Sequence, residues 1–406
     1  MALLPVEEAL ARLLSRAEPV TRTETVAIGA ALGRVLAKPL AARLTQPPFD
    51  ASAMDGYALR AADIASIGSK LTVIGESAAG RGFSGRVGEG QAVRIFTGAP
   101  MPEGADTVLL QEDALRLEDG RIENTFVPEG GRHVRPRGQD FAEGEIVLTE
   151  RMRLDAGRLL VAAGMNHGQV EVYARPKVAI LSTGDELKAP GEELGPNQIV
   201  ASNSIAVAAL AREAGAEVID LGIVPDDVEQ IAAAARKAGE IGADVLVTLG
   251  GASVGDYDLV QSTLTSVGME LDFWKIAMRP GKPLMVGSLG ETIVLGLPGN
   301  PVSSMVCALL FMEPLLHRLA RLRYRSRERA AITASPLAEN DRRQDYVRAR
   351  AARDKEGRIV VRAFDKQDSS QMKIFALADA LIIRPPHAPA LEVGAECRIL
   401  ALREID

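Results

Sequence analysis

DVLVTLGGASVGDYD, residues 244–258, is the stretch from which the fold is most directly inferred. An apolar run leads into the paired glycines Gly250 and Gly251 and ends near the acids Asp256 and Asp258. The run predicts a buried strand, and glycines at a strand end expose backbone N–H groups that can bind an anion. The stretch therefore predicts a phosphate and metal site. The alternative is a tight structural turn, which the glycine pair alone would favour.

Strand and helix patterns alternate on both sides of this stretch. The apolar run KVAILST, for example, precedes a helical pattern over residues 204–213. This alternation predicts a doubly wound α/β sheet over residues 175–325, in which ligands bind at the carboxyl ends of the strands. The loop GLPGNP, residues 296–301, follows the last predicted strand, and Asn300 is expected to cap the helix after it.

The rest of the chain predicts further domains, as its 406 residues require. We expect an elongated helical and mixed domain from residues 1–45 and 141–174, including helices over residues 6–18 and 29–37. Residues 46–140 are rich in glycine and β-forming residues and predict an inserted β domain. Short alternating runs in residues 326–406 predict a small β barrel or sandwich.

A glycine motif in the insert needs separate consideration. Gly80, Gly82 and Gly85 fit the pattern GxGxxG of dinucleotide-binding loops, but the sequence after them predicts no helix. We therefore do not interpret the motif as a nucleotide site.

Composition excludes several classes of function. The formal charge is -7 and no long basic run occurs, so no nucleic-acid partner is predicted. Cys307 and Cys397 fit no metal-ligand spacing, and the four histidines are scattered, so any metal should be a hard cation with oxygen ligands, Mg²⁺ first. The N-terminus lacks the features of a signal peptide and no apolar run reaches membrane-spanning length, so we expect a cytoplasmic protein without a membrane partner.

Charged residues gather at the predicted strand ends. Acids follow three strands, and such convergence predicts that the carboxylates share a cation or have raised pKa values; they are Asp185, Glu186, Asp226, Asp227, Asp256 and Asp258. The segment FWKIAMRPGKPL carries Lys275, Arg279 and Lys282, which could approach one anion. The alternatives are turn-forming acids and solvated charges on a sheet edge.

Taken in order, several phrases resemble the molybdopterin molybdotransferase family, the MoeA-type proteins that include the C-terminal half of gephyrin. The resemblance covers essentially the whole chain, and the order and number of the phrases make it specific. The phrases are PPFDASAMDGYALR, RIFTGAPMPEGAD, RGQD, LSTGDEL, NQIVASNS, LGGASVGDYD, FWKIAMRPGKP and GLPGNPVSS, with a weaker likeness in QDSSQMK.

The resemblance implies an elongated four-part protomer in a homodimer, with an active site that joins the central domain to the partner's β insert. It implies insertion of molybdate into adenylylated molybdopterin with release of AMP, and a requirement for a divalent cation. Two other functions remain open: a nucleotidyltransferase that adenylylates molybdopterin, since the same type of central domain does so, and a non-catalytic scaffold like gephyrin.

By position, the resemblance implies catalytic roles for Asp55, Thr97, Asp140, Glu186, Lys275, Arg279 and Arg348. We expect the glycine loops and their neighbours to bind the substrate, through Ser182, Thr183, Gly184, Gly250, Gly251, Ser253, Lys282, Pro298, Gly299, Asn300, Pro301, Ser369 and Ser370. We expect Mg²⁺ to bind Glu186, Asp226 and Asp258.

The chain departs from the family pattern at two positions. Arg279 stands where the family would have lysine, so a planar fork replaces a point charge. Asp368 stands beside the serines of QDSS, which argues against oxyanion binding by that loop.

Overall fold

The computed structural model describes residues 3–250 and 259–406. The chain divides into two compact units, one of Met1–Arg22 with Tyr173–Asp406 and one of Thr23–Val172. Helix α1, Val6–Ser15, confirms the first predicted helix and buries Val6, Ala9 and Leu13. This helix is part of the larger unit, whereas the sequence-based division placed residues 1–45 in the elongated domain. The finer division into four domains remains a prediction.

The smaller unit is mostly β structure. Its largest sheet has six strands in the order β7-β4-β6-β5-β9-β8, and the short strands form the pairs β1–β12, β2–β11 and β3–β10. The elements are β1 Thr23–Ala27, β2 Leu40–Ala41, β3 Ala51–Ser52, β4 Gly56–Leu59, β5 Lys70–Ser77, β6 Gln91–Ile95, β7 Thr107–Leu110, β8 Ala114–Arg116, β9 Arg121–Asn124, β10 Val134–Arg135, β11 Ile146–Leu148, α2 Ala156–Gly164 and β12 Gln169–Tyr173.

The helix predicted over residues 29–37 is wrong. Only a 3-10 turn, Ile28–Ala30, forms there. Gly33 then adopts φ +76°, and the N–H of Leu36 donates to the carbonyl of Met152. Pairing with a distant extended segment therefore replaces the local helical pattern.

A six-stranded sheet forms the centre of the larger unit, in the order β16-β13-β17-β21-β20-β18. The first four strands are parallel, and β20 is antiparallel to both β21 and β18. Five of the six strands therefore end at the same edge of the sheet. The strands and helices up to this point are β13 Lys177–Thr183, β14 Leu187–Lys188, β15 Ile199–Val200, α3 Asn203–Glu213, β16 Glu217–Val224, α4 Val228–Glu240, β17 Val245–Leu249, α5 Leu259–Ser266, β18 Glu270–Lys275, β19 Met278–Arg279, β20 Pro283–Leu289 and β21 Thr292–Leu297.

Helices cover both faces of this sheet, which confirms the doubly wound prediction. In β13, Val178 and Ile180 belong to a core shared with α1 and α3, while Ala179 and Leu181 pack with α4 and α5. Successive side chains of a strand point to opposite faces, so an apolar run without alternation is what a sheet covered on both faces requires. Strand β20 was not predicted.

A continuous helical run follows β21. It consists of α6 Pro301–Cys307, a π-helical segment Ala308–Met312 and α7 Glu313–Leu319. By length and composition this 19-residue run could cross a membrane, although no such run was expected from the sequence. Because 78% of the apolar stretch of this run is buried inside the protein, the run is the kind of helix that forms the core of a folded unit.

The C-terminal part of the chain forms a closed five-stranded barrel, as the sequence predicted. The order is β23-β24-β22-β26-β25, and β25 pairs again with β23 to close it. The short strand β19 extends this sheet by pairing with β23 in parallel. The elements are β22 Glu328–Thr333, β23 Gln344–Arg353, β24 Ile359–Ala363, α8 Met372–Leu377, β25 Ala380–Arg384 and β26 Glu396–Ala401.

Candidate active site

A cleft of about 970 Å³ lies at the carboxyl ends of the central strands. It is the position at which open α/β sheets bind ligands. Loops after β13, β16, β17 and β21 meet there with the segment before α8 from the barrel. The predicted site residues that line it are Ser182, Thr183, Gly184, Glu186, Asp226, Gly250, Pro298, Gly299, Asn300, Pro301 and Ser370.

Other predicted site residues are placed differently. Gly251, Ser253, Asp256 and Asp258 lie outside the described residues. Within the larger unit, the predicted residues that do not line the cleft are Lys275, Arg279, Lys282, Arg348 and Ser369. The smaller unit carries Asp55, Thr97 and Asp140.

The acids of the first two loops are brought together at the cleft. Asp185 Oδ1 accepts the N–H of Asp226 at 3.2 Å. Burial raises the pKa of the Asp226 carboxyl, and the charges of Asp185 and Glu186 raise it further. Asp227 instead accepts the N–H of Gln230 at 2.9 Å and caps α4, so it is a structural residue.

These carboxylates have the chemistry of a Mg²⁺ site, but the described set is incomplete. Hard cations take oxygen ligands, and a cation would relieve the mutual repulsion that raises the pKa of Asp226. Over residues 3–250 and 259–406, no group of three His, Cys, Asp or Glu side chains is arranged to hold a metal ion. Glu186 and Asp226 could supply two ligands, and the third predicted ligand, Asp258, is not among the described residues.

The glycines at the strand ends have packing roles. At Gly250, φ is +100°, and an added Cβ would lie 2.5 Å from the carbonyl oxygen of Thr183. An added Cβ at Gly296 would lie 2.6 Å from Cε of Met285. Close contacts with the neighbouring strands therefore explain these two glycines, whereas a Cβ added at Gly299 would make only an ordinary contact of 3.8 Å with the Cα of Gly250.

The start of α6 differs from the prediction in one respect. Asn300 makes no side-chain capping bond, although it directly precedes the helix. The N–H of Val302 donates to the carbonyl of Ser369 at 3.2 Å. This bond ties the beginning of the helix to the barrel loop that carries Ser370.

Three buried hydroxyl groups near the cleft have no hydrogen-bond partner among the described residues. They belong to Thr183, Thr248 and Ser304. Thr183 lines the cleft, and an added Cβ at Gly296 would lie 3.3 Å from the hydroxyl oxygen of Thr248. Buried polar groups normally find a partner, so these three hydroxyls are exceptions within the described residues.

Of the three predicted cations, Arg279 binds carboxylates of the barrel, whereas Lys275 and Lys282 lie on adjoining segments, where the N–H of Ile276 donates to the carbonyl of Lys282. Lys275 ends β18, pairs with Pro283 of β20, and holds its ammonium 4.8 Å from the centre of the Trp274 ring. Arg279 lies in β19 and forms a two-bond ion pair with Asp345, with Asp341 at 3.3 Å. These bonds raise the pKa of Arg279 and match its charge. The planar fork that distinguishes arginine from lysine is used here to bind a carboxylate of the barrel.

Arg348, in β23, is the most unusual cation of the larger unit. It is only 1% exposed, and its Nε and Nη2 have no hydrogen-bond partner in the described part of the chain. Burial lowers the pKa of its guanidinium, and the negative charges of Asp368 and Asp345 counteract this effect. Asp368 also accepts both the N–H and the hydroxyl of Ser370, at 2.8 and 2.6 Å.

In the smaller unit, two of the predicted residues form a pair. Asp55 Oδ1 accepts the N–H of Thr97 at 2.7 Å and its hydroxyl at 2.8 Å. These bonds, the backbone one first, lower the pKa of the Asp55 carboxyl. Asp140 is exposed, and its N–H donates to the carbonyl of Gln46.

Backbone bonds join the three sequence phrases that carry these residues. The N–H of Gly98 donates to the carbonyl of Ser52, and the N–H of Gly138 donates to that of Pro47. Phrases separated by up to about ninety residues therefore form one surface region of this unit.

The GxGxxG motif has a structural explanation. The ring of Phe83 packs so closely that an added Cβ would lie 2.4 Å from it at Gly75 and 2.6 Å from it at Gly85. At Gly82, an added Cβ would meet Pro100 at 2.8 Å. The motif serves packing, in agreement with the interpretation from sequence.

Sequence reasoning missed the apolar wall of the cleft. Strands β14 and β15 pair in parallel, and Leu187, Ile199 and Val200 line the cleft beside Leu194. The apolar pair Ile199-Val200, which stands in an otherwise polar loop sequence and is exposed in the structure, was the signal that could have identified this wall. No sequence signal pointed to Pro283, which reaches the cleft through an unpredicted strand.

Comparisons with known proteins match the chain along nearly its whole length. Residues 4–165 match the model of the MoeA N-terminal region (domain I and II). Residues 179–318 match that of a probable molybdopterin binding domain, and residues 330–402 match that of the MoeA C-terminal region (domain IV).

Individual relatives agree with these matches. A molybdopterin molybdenumtransferase from Haemophilus influenzae is 34% identical over 94% of each chain. Another, from Nostoc sp., is 41% identical over 74% of this chain and 70% of its own. A solved structure of a molybdopterin biosynthesis MoeA protein from Pyrococcus horikoshii is 31% identical, with a TM-score of 0.83 over 99% of this chain and all of its own.

Proposed function

The chain belongs to the MoeA family, and from this premise we propose that it is a molybdopterin molybdenumtransferase. The reaction is insertion of molybdate into adenylylated molybdopterin with release of AMP. The observation that carries the proposal is the cleft at the strand ends. Apart from Ser370 and Met372, its lining residues belong to the part of the chain that matches a probable molybdopterin binding domain, and they include the predicted substrate loops.

The two sides of the cleft suit different parts of such a substrate. The apolar wall of β14 and β15 offers a surface for a planar ring system. The loops with Thr183, Gly250 and Gly299 can approach phosphate groups closely, since their glycines present backbone in place of bulky side chains. The pterin and its phosphates are therefore assigned to this cleft.

The acid side of the cleft is assigned to the divalent cation. Glu186 and Asp226, with Asp258 outside the described residues, would hold Mg²⁺. When bound, Mg²⁺ neutralises charge on the phosphoanhydride of the substrate. Asp185 keeps the Asp226 loop in place through the backbone hydrogen bond.

The cations are assigned to the oxyanion. Lys275 and Arg348 attract molybdate through their positive charge, Arg348 from a buried position. A molybdate or water oxygen attacks the activated phosphorus, the phosphoanhydride P–O bond breaks, and AMP leaves. Arg279, which we first placed among the catalytic cations, can take part only if its pair with Asp345 opens.

The remaining assignments concern assembly. We propose a homodimer in which the Asp55–Thr97 pair and Asp140 of one protomer complete the cleft of the other, in the cytoplasm. The resemblance carries this proposal, supported by the convergence of the three phrases into one surface region of the smaller unit.

The test is release of AMP. Purified protein incubated with adenylylated molybdopterin, Mg²⁺ and molybdate should release AMP only when molybdate is present. Release that does not depend on molybdate would reject the function. Consumption of ATP with free molybdopterin would instead indicate an adenylyltransferase, and no reaction in either assay would favour a scaffold.

A further inference from the structure

Arg348 is a buried cation whose hydrogen-bonding capacity the described residues leave partly unused. Its side chain is almost fully buried, and two of its guanidinium nitrogens are unpaired within the described residues. A buried charge with unpaired donors is destabilising, so a nearby opposite charge stabilises it.

A carboxylate of the same chain lies in the field of this cation. Asp368, in the loop between β24 and α8, is the acid that most strongly offsets the effect of burial on Arg348. Its Oδ1 also takes both donors of Ser370, and Ser370 lines the cleft. Both donors of Ser370 are therefore bonded to Asp368, and the charge of Arg348 is attracted to the same carboxylate.

The loop that carries Asp368 is anchored on both sides. Gln367 accepts the N–H of Arg348 and donates back to the Arg348 carbonyl, at 2.9 and 3.0 Å. On the other side, the carbonyl of Ser369 accepts the N–H of Val302 at the start of α6. Asp368 itself is exposed to solvent, so its carboxylate can turn away without disturbing these anchors.

We propose that Asp368 competes with a tetrahedral oxyanion for the donors of Ser370 and the charge of Arg348, and so determines the affinity of this region for oxyanions. The inference rests on the proposed function in taking molybdate as the ligand; a phosphate group of the substrate has the same shape and charge. Binding is an exchange of partners: the oxyanion takes the hydrogen bonds of Ser370 as the Asp368 carboxylate moves into solvent. Asp368 thus sets the affinity for the oxyanion and takes no part in the chemical reaction.

The test measures binding of sodium molybdate, and separately of inorganic phosphate, to the full chain by titration calorimetry at low salt. Asp368→Asn keeps the size and an acceptor for Ser370 but removes the charge. It should tighten binding of the oxyanion that the site takes by about two- to fivefold, the contribution of an exposed charge pair. The two titrations distinguish molybdate from phosphate as that ligand.

Two variants complete the design. Asp354→Asn is the matched control, because Asp354 also accepts two backbone N–H groups in a turn of the barrel, from Glu356 and Arg358, and should leave binding unchanged. Arg348→Met should weaken binding at least about tenfold.

Three results would overturn the inference: unchanged or weaker binding of both oxyanions by the Asp368→Asn variant, equal tightening by the Asp354→Asn variant, or full binding by the Arg348→Met variant. Failure of AMP release with tightened binding would reject the proposed function alone. Intact release with unchanged binding would reject only this inference.

Discussion

At the scale of single residues, environment separates side chains of the same type. Asp226 and Asp227 are neighbours in sequence, yet Asp226 lines the cleft beside two other acids and Asp227 caps a helix. Arg279 and Arg348 are both cations expected at one site. Arg279 is paired with carboxylates, whereas two nitrogens of Arg348 have no partner among the described residues. The sequence identified all four as candidate site residues, but only the partners of each side chain distinguish their roles.

Replacing Asp226 by asparagine should stabilise the metal-free protein at neutral pH. Burial and neighbouring acids raise the folded-state pKa of Asp226 above the usual 3.8. The free energy of unfolding that this carboxyl contributes is therefore present at low pH and is lost as the pH rises through the raised pKa. Asp226→Asn removes that loss. Its melting temperature in EDTA should exceed the parent's at pH 7, and the difference should shrink as the pH approaches about 4.

Added Mg²⁺ should reverse this order, since a cation that binds the folded state stabilises the parent and not the variant. Asp227→Asn is the control from the same loop: asparagine also caps helices, so the Mg²⁺ response should persist. A lower melting temperature for Asp226→Asn without metal at pH 7 would contradict the assignment.

At the scale of secondary structure, long-range strand pairing decided what local patterns could not. Arg279 was expected to approach an anion together with Lys275 and Lys282; instead it lies in β19, which pairs with β23, and it binds Asp345. The partner segments are 66 positions apart, and the pairing leaves no periodic signal in either. By contrast, uninterrupted apolar runs in the sequence predict the buried strands of the central sheet.

The end of β17 is a place where one methyl group should be costly. Gly250→Ala would place a side chain on a backbone that already has φ +100°, a conformation unfavourable for alanine. It would also bring the new Cβ within 2.5 Å of the backbone of β13. Backbone strain alone costs about 1–2 kcal/mol and overpacking adds about 1–3 kcal/mol. Urea unfolding of purified variants measures the sum.

Gly268→Ala isolates the first contribution. Gly268 has φ +102° but no heavy atom within 4 Å of an added Cβ. The free energy of unfolding should therefore fall less for Gly268→Ala than for Gly250→Ala. Equal losses would show that the close approach of β13 to Gly250 has no energetic weight.

At the scale of the whole molecule, the predicted site residues are divided between two compact units. Asp55, Thr97 and Asp140 belong to Thr23–Val172, and the cleft belongs to the larger unit. The barrel contributes to the cleft through Ser370 and Met372, so the C-terminal domain is part of the site and more than a packing module.

Two inactive variants should complement each other if the active site is shared between protomers. Asp55→Asn and Glu186→Gln are co-expressed with different affinity tags, and mixed dimers are purified through both. Each mixed dimer then has one intact site and one doubly altered site, so AMP release should recover to about half of the parent value per dimer, following the symmetry of a two-fold assembly.

Each variant purified alone should remain inactive, which is the control. The parent should have a solution mass near twice the chain mass of 43.1 kDa. Mixed dimers without recovered activity, or an active monomer, would place the complete site within one chain.

The sequence by itself determined the doubly wound centre, the C-terminal barrel and most of the cleft loops, because apolar periodicity and glycine at strand ends are local properties. It also identified the family through the order of its phrases. Only the tertiary structure decided that residues 29–37 form no α-helix and that Arg279 is paired with Asp345. It also decided that Arg348 is buried near Asp368, with two nitrogens that find no partner in the part of the chain described. These facts depend on contacts between distant segments, which set the burial and the partners of a charge and leave no trace in local pattern.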